Sequence, residues 1–246
     1  MNMEDVFNQG LRYSFELKND KAIEAFSSYL KGNPQSSPAF LNRGNCYFQE
    51  GFYDKAVEDY DNALLLDQNN IETYKIRAWA LYFKDWANTH ENHLEVLKII
   101  NRAIKVVYDQ KIKDAFLEFE KATQISNDNA FTFYQRGLLY AQIGEHIKAI
   151  KDFTESMRLA PNIAGIYYDR GNLYLHQSIY DKAIDDYTLA IGLYPQFTEA
   201  MHGRAIAFFQ KGSYESAEVD LNAILEIKHD DADARNILQK LKRLKK

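Results

Sequence analysis

The stretch RGNCYFQEGFYDKAVEDYDNAL, residues 43–64, returns almost unchanged as RGNLYLHQSIYDKAIDDYTLAI at residues 170–191. Self-similarity of this kind marks a repeat architecture, and it has to be read before anything else. Working outward from the small residue that follows the arginine, equivalent contexts occur at Gly10, Gly44, Ala78, Gly137, Gly171 and Ala205. The steps between them are 34, 34, 59, 34 and 34 residues, so all of the irregularity, 25 extra residues, falls in the third repeat. The repeats span about 3–36, 37–70, 71–129, 130–163, 164–197 and 198–231, with the insertion near 86–110.

Other positions recur with the anchor. Three residues on stands Tyr13, Tyr47, Leu81, Tyr140, Tyr174 or Phe208. Every repeat then has an alanine (Ala22, Ala56, Ala115, Ala149, Ala183, Ala217), followed four residues later by a ring or leucine. Spacings of three, four and seven are helical, and each repeat reads as two helices. Gly51, Gly144, Gly212 and Ser178 break the pair, as helix-terminating residues do. Ser37 and Pro38 read as the cap and first turn of the next helix. Small residues on both helices let two backbones approach, and the rings fill the space beside them.

Period and pattern together resemble the tetratricopeptide repeat. The resemblance covers nearly the whole chain and implies an all-α fold: a right-handed superhelical solenoid of helix-turn-helix repeats. It would form a single domain over 1–246, with an extra helical element in the third repeat and a capping helix over 232–246. Leu94, Leu97, Ile100 and Ile104 follow helical spacing within the insertion. That segment reads either as an added helix near 91–107 or as an extension of the helix after it. If it is a docking element, Leu97, Ile100 and Ile104 form its interface.

Composition narrows the function classes. The chain of 246 residues carries a formal charge of −5, 46% hydrophobic and 26% charged residues. Its last 15 residues, ADARNILQKLKRLKK, hold six cations and one anion, so the rest is acidic. An acidic body argues against nucleic acid as the principal partner. The single Cys46 excludes an internal disulfide and reads as a core thiol. No secretory leader or apolar run long enough to span a membrane is visible, which makes a cytoplasmic location the expectation. Phosphate-loop, nucleophile-elbow and HExxH motifs do not occur. His90 and His93 have a spacing that could share a metal, but no cysteine stands near to complete a set. The reading is a chain that is no enzyme, with no cofactor and no metal.

One ionic pattern recurs. Arg43, Arg77, Arg136, Arg170 and Arg204 precede their anchors, and Asp59, Glu118, Asp152, Asp186 and Asp220 stand three residues after the recurring alanine. The first repeat lacks both, with Gln9 and Ala25. Joint presence and joint absence predict an ion pair between the two helices of a repeat.

The family resemblance also implies a binding surface. There, first helices line a concave groove that holds a peptide or a partner's helix. Carried onto this chain, the groove positions are Phe7, Leu11, Leu41, Asn45, Trp79, Tyr82, Tyr134, Leu138, Tyr168, Asn172 and His202, a set aromatic, apolar and amide in character. Family members that clamp the C-terminal carboxylate of heat-shock chaperones use lysine, asparagine and arginine at five such positions. The corresponding residues here are Phe7, Leu11, Asn42, Glu72 and Ile76, and only Asn42 fits. The expected partner is therefore a protein or peptide with an apolar or amphipathic segment, not the chaperone carboxylate. The expected role is a scaffold or adaptor. A structural subunit of a larger assembly is the alternative, and a regulatory partner of a separate enzyme a weaker one.

Overall fold

The computed structural model describes residues 3–68, 70–108 and 111–244. Among them are fourteen helices and no strand: α1 Met3–Phe15, α2 Asn19–Gly32, α3 Ser37–Gln49, α4 Tyr53–Leu66, α5 Ile71–Ala87, α6 His93–Tyr108 and α7 Ile112–Ile125. After these come α8 Ala130–Gln142, α9 His146–Leu159, α10 Ala164–His176, α11 Tyr180–Leu193, α12 Thr198–Gln210, α13 Tyr214–Ile227 and α14 Ala232–Leu244. The helices belong to two compact units, residues 1–128 and 129–246. Within each, consecutive helices joined by short turns pack as hairpins that stack in chain order, the repeat solenoid implied by the sequence.

Local chemistry sets the boundaries. The cap of α3 is Ser36, whose Oγ accepts from the Ala39 amide at 3.3 Å, one residue earlier than the sequence suggested. Ser37 is instead the first helical residue, and its hydroxyl donates to the Ala63 carbonyl at 3.1 Å. Asn70 and Asn129 cap α5 and α8 in the same way. Gly51, Gly144 and Gly212 end first helices at φ of +80°, +79° and +77°. Leu17 and Ser178 occupy the same turn position at φ +58°.

The core is the row of side chains that the second helices insert between pairs. Phe26, Tyr60, Phe119, Phe153, Tyr187 and Leu221 are all essentially without solvent exposure. The anchor glycine makes that possible: a Cβ on Gly44 would lie 2.7 Å from a Tyr60 ring carbon. The capping helix α14 lays Ala234, Leu238 and Leu241 on Leu221 and Ile224 of α13. The Leu244 side chain and residues 245–246 lie outside the described residues.

The third repeat departs from the expected pairing. Of the two alternatives for the insertion, the chain has α6 and α7 as separate helices; residues 109–110 between them lie outside the described residues. The first helix that packs along α7 is α6, whereas α5 packs against α4. Arg102 of α6 reaches Glu118 at 3.3 Å. The predicted partner, Arg77 on α5, turns back to Asp61 of α4 at 2.6 Å. The buried anchor of the pair is Ala103, which has no exposure, while Ala78 is half-buried. The third repeat thus has two first-type helices, α5 and α6, and one second helix, α7.

This arrangement corrects the docking expectation for the insertion. Leu97 and Ile100 are fully buried and belong to the core of their own unit; Ile104 is half-buried. The helix α6 covers the turn ends of the earlier repeats. Lys105 lies over the Phe15 ring at 6.0 Å, and Tyr53 and His93 rings stand 6.0 Å apart.

Candidate functional site

The arginine row explains what holds a repeat together. Arg43, Arg136, Arg170 and Arg204 each clasp the carboxylate sixteen residues on with two nitrogens, at 2.7–2.9 Å. Three of them also spend the remaining nitrogen on a hydroxyl sixteen residues back: Arg43 on Ser27, Arg170 on Thr154, Arg204 on Thr188. Each such arginine therefore ties its own hairpin to the preceding second helix. Bidentate geometry of this kind is the strong form of the pair. Burial pushes the carboxyls of Asp59 and Asp186 up, and the guanidinium opposite pulls them back. A row so committed has little left for a ligand, and it belongs to the scaffold.

The predicted groove residues fall into three groups. Trp79 and Tyr134 are buried, at 4% and 7% exposure. Trp79 packs edge-on to Tyr82, and the Tyr134 hydroxyl donates to Asp169 of the next first helix at 2.7 Å. These two rings are packing elements. Phe7, Leu41, Asn45, Tyr82, Leu138, Tyr168, Asn172 and His202 are half-buried. Phe7 packs on Phe26 and Tyr29, and Tyr168 on Phe197 and Tyr187. Leu11 is exposed, and so is Ile206, at the equivalent position of α12.

Asn45 and Asn172 are oriented by their own repeats. Their Oδ1 atoms accept from the Tyr60 and Tyr187 hydroxyls at 2.9 and 2.7 Å. With the oxygen so engaged, the NH2 is the group that remains to donate. His202 pairs through Nε2 with Asp231 at 3.2 Å. Burial would raise Asp231, but the Ala234 amide, which donates to it, and His202 hold its carboxyl below the ordinary range. In residues 129–246 the first helices α10 and α12 lie against each other. Tyr168, Asn172, His202 and Ile206 stand on these two helices, and together with Leu138 of α8 they include no carboxylate, lysine or arginine.

Sequence reasoning missed Arg102 and Ala103. Two signals could have found them. The arginine-to-acid spacing is sixteen in the other four pairs, and Glu118 minus sixteen is Arg102; Ala103 stands 34 residues before Gly137. Cys46 is fully buried, and burial pushes its thiol up to about 11. Among the described residues no group of three His, Cys, Asp or Glu side chains could hold a metal ion. No helix among them is long and apolar enough to cross a membrane.

Comparison with known proteins agrees with this architecture. The tetratricopeptide repeat family model matches residues 37–70, 132–163 and 164–197. Human sperm-associated antigen 1 is 29% identical over 44% of this chain and 11% of its own length. Human peptidyl-prolyl cis-trans isomerase FKBP4 is 24% identical over 59% of this chain and 30% of its own. The chain thus spans less than a third of either relative. Among solved structures, the APC/C hetero-tetramer Cut9-Hcn1 aligns with a TM-score of 0.55 at 17% identity, over 98% of this chain and 43% of that one. YrrB, described as a TPR protein with an unusual peptide-binding site, aligns with a TM-score of 0.51 at 19% identity, over 88% of this chain and 99% of that one. At such identities the likeness is one of fold. The chain thus carries tetratricopeptide repeats: three of its hairpins, within residues 37–70, 132–163 and 164–197, are matched outright.

Proposed function

We infer that the protein is a non-catalytic interaction scaffold that holds an apolar or amphipathic peptide segment against its first-helix face. The observation that carries this reading is the half-exposed, sparsely charged strip of Leu138, Tyr168, Asn172, His202 and Ile206. Such a strip suits a partner with apolar anchors and a backbone to hydrogen-bond, which the Asn172 amide can meet. The buried Trp79 and Tyr134 do not contribute anchors, which narrows the surface to the half-exposed residues. The chaperone carboxylate is a poor match, since Asn42 is the one clamp residue present. A structural role in an assembly is a second reading, favoured by the fold likeness to a chain of the APC/C hetero-tetramer Cut9-Hcn1.

Peptide display on the intact chain tests the first reading. Selected peptides are expected to be apolar or amphipathic. Ile206→Asp, at an exposed site and with its melting temperature checked, should weaken them at least about tenfold, the cost of an unpaired charge at a desolvated contact. Val219→Asp, on α13 at 68% exposure and away from that face, should leave them unchanged. Selection of no peptide, or equal binding to both variants, would overturn the groove reading in favour of the structural one.

A further inference from the structure

A cleft of about 740 Å³ opens between α8 and α9, lined by Phe133, Arg136, Tyr140, Lys148, Lys151 and Glu155 among others. A second cleft, about 390 Å³, lies between α1 and α2 and is lined by Val6, Gln9, Tyr13, Lys21, Glu24 and Ser28. The two sets are the same repeat positions, 127 residues apart. These are two versions of one cleft, and they differ in charge. In the first repeat Lys21 faces a cleft that also holds Glu24. In the 130–163 repeat the position of Glu24 is Lys151; the other repeats have Glu58, Leu117, Asp185 and Val219 there.

The acids of the larger cleft are already matched. Asp152 is clasped by Arg136 at 2.7 and 2.8 Å. Glu155 is clasped by Arg158, which lies outside the lining, at 2.6 and 3.1 Å. Lys148 meets Glu145 at 3.3 Å with both side chains about half exposed, a pair worth little in water. Lys148 and Lys151 thus give the cleft a surplus of positive charge. Its walls are aromatic: Arg136 lies over Phe133 at 5.3 Å and Lys148 over Tyr140 at 5.6 Å. Cations beside ring faces suit a ligand that brings carboxylates next to an apolar side chain.

We propose that the cleft between α8 and α9 is a second docking site, distinct from the first-helix face, for an acidic peptide segment. Lys148 and Lys151 meet its carboxylates, and Phe133 packs against a neighbouring apolar residue. The site is independent of the groove reading and survives its failure.

The probe is a fluorescein-labelled Gly-Glu-Phe-Glu-Glu-Gly peptide, titrated against the intact chain by anisotropy, with its all-glutamine counterpart as control. The acidic peptide is expected to bind and to weaken steeply as salt rises, as exposed charge contacts do. Lys148→Glu with Lys151→Glu should weaken it at least about tenfold, because like charges then face each other. Both lysines are exposed, so folding should be unaffected. Lys21→Glu, the equivalent change in the smaller cleft, and Ile206→Asp on the first-helix face should leave binding within about twofold. Absence of binding, equal binding of the glutamine peptide, or equal loss from Lys21→Glu would each overturn the proposal.

Discussion

Arg170 shows how a single side chain is used twice. It clasps Asp186 and reaches Thr154, with side-chain exposures of 16% for the arginine and 3% for the aspartate. Removing it strands a buried carboxylate, so Arg170→Ala should cost more than about 1 kcal/mol. Lys182→Ala, at an exposed site over Tyr174, should cost less than about 0.5 kcal/mol. Chemical denaturation of both variants checks the contrast. The pH dependence has a definite sign. Burial already pushes Asp186 up, and without Arg170 nothing opposes that. A carboxyl raised in the folded state costs stability as pH climbs from the ordinary carboxylate range toward its folded value. The deficit of Arg170→Ala should therefore be largest near neutrality and shrink as the pH is lowered toward the ordinary carboxylate range. A deficit that grows on acidification would contradict this. Leu17 makes the converse case. It holds a left-handed conformation at φ +58° where three other repeats have glycine, and its side chain is 41% exposed. Leu17→Gly should raise stability by up to about 1 kcal/mol, the strain relieved exceeding the lost unfolded-state restriction. Thermal melting reads the change directly.

At the scale of elements, the hairpins were legible because their signature is local. A small residue, a ring three on, an alanine and a second ring all report on one pair of helices. What was not legible was which first helix pairs with α7. Both α5 and α6 carry helical apolar stripes, and Arg77 with Ala78 imitates the anchor of a regular repeat. The choice is made by packing: α6 supplies Ala103, Leu97 and Ile100 to the core, and Arg77 settles on a solvent-facing bridge to Asp61, with exposures of 33% and 48%. The groove positions are ambiguous in the sequence for a similar reason. A ring at a groove position can serve a ligand or its neighbours, and the pattern is identical in both cases. Trp79 and Tyr134 went to the neighbours; Tyr168 and Leu138 remain partly open. The pairing has its own test. Ala103→Leu should destabilise by about 1–3 kcal/mol through overpacking, whereas Ala78→Leu should stay within about 0.5 kcal/mol. Denaturation midpoints of the two variants decide it, and the reverse order would mean that α5, not α6, is the partner of α7.

For the whole molecule, residues 129–246 hold three complete hairpins and the cap, which is the smallest number a repeat stack needs for stability. The cap matters because Leu221 and Ile224 would otherwise face water. Leu241→Asp, which places a charge at 1% exposure, should lower the melting temperature of the intact chain by several degrees, roughly the effect of 1–3 kcal/mol. The two surfaces proposed to dock partners differ in chemistry: the sparsely charged strip on the first helices and the cationic cleft between α8 and α9. The strip is proposed to receive the partner. A photo-crosslinking residue placed at 206 on the first-helix face, and in a separate variant at 219 on α13, tests it with peptides selected on the intact chain. Covalent capture is expected at 206 and none at 219; capture at 219 with none at 206 would rule the strip out.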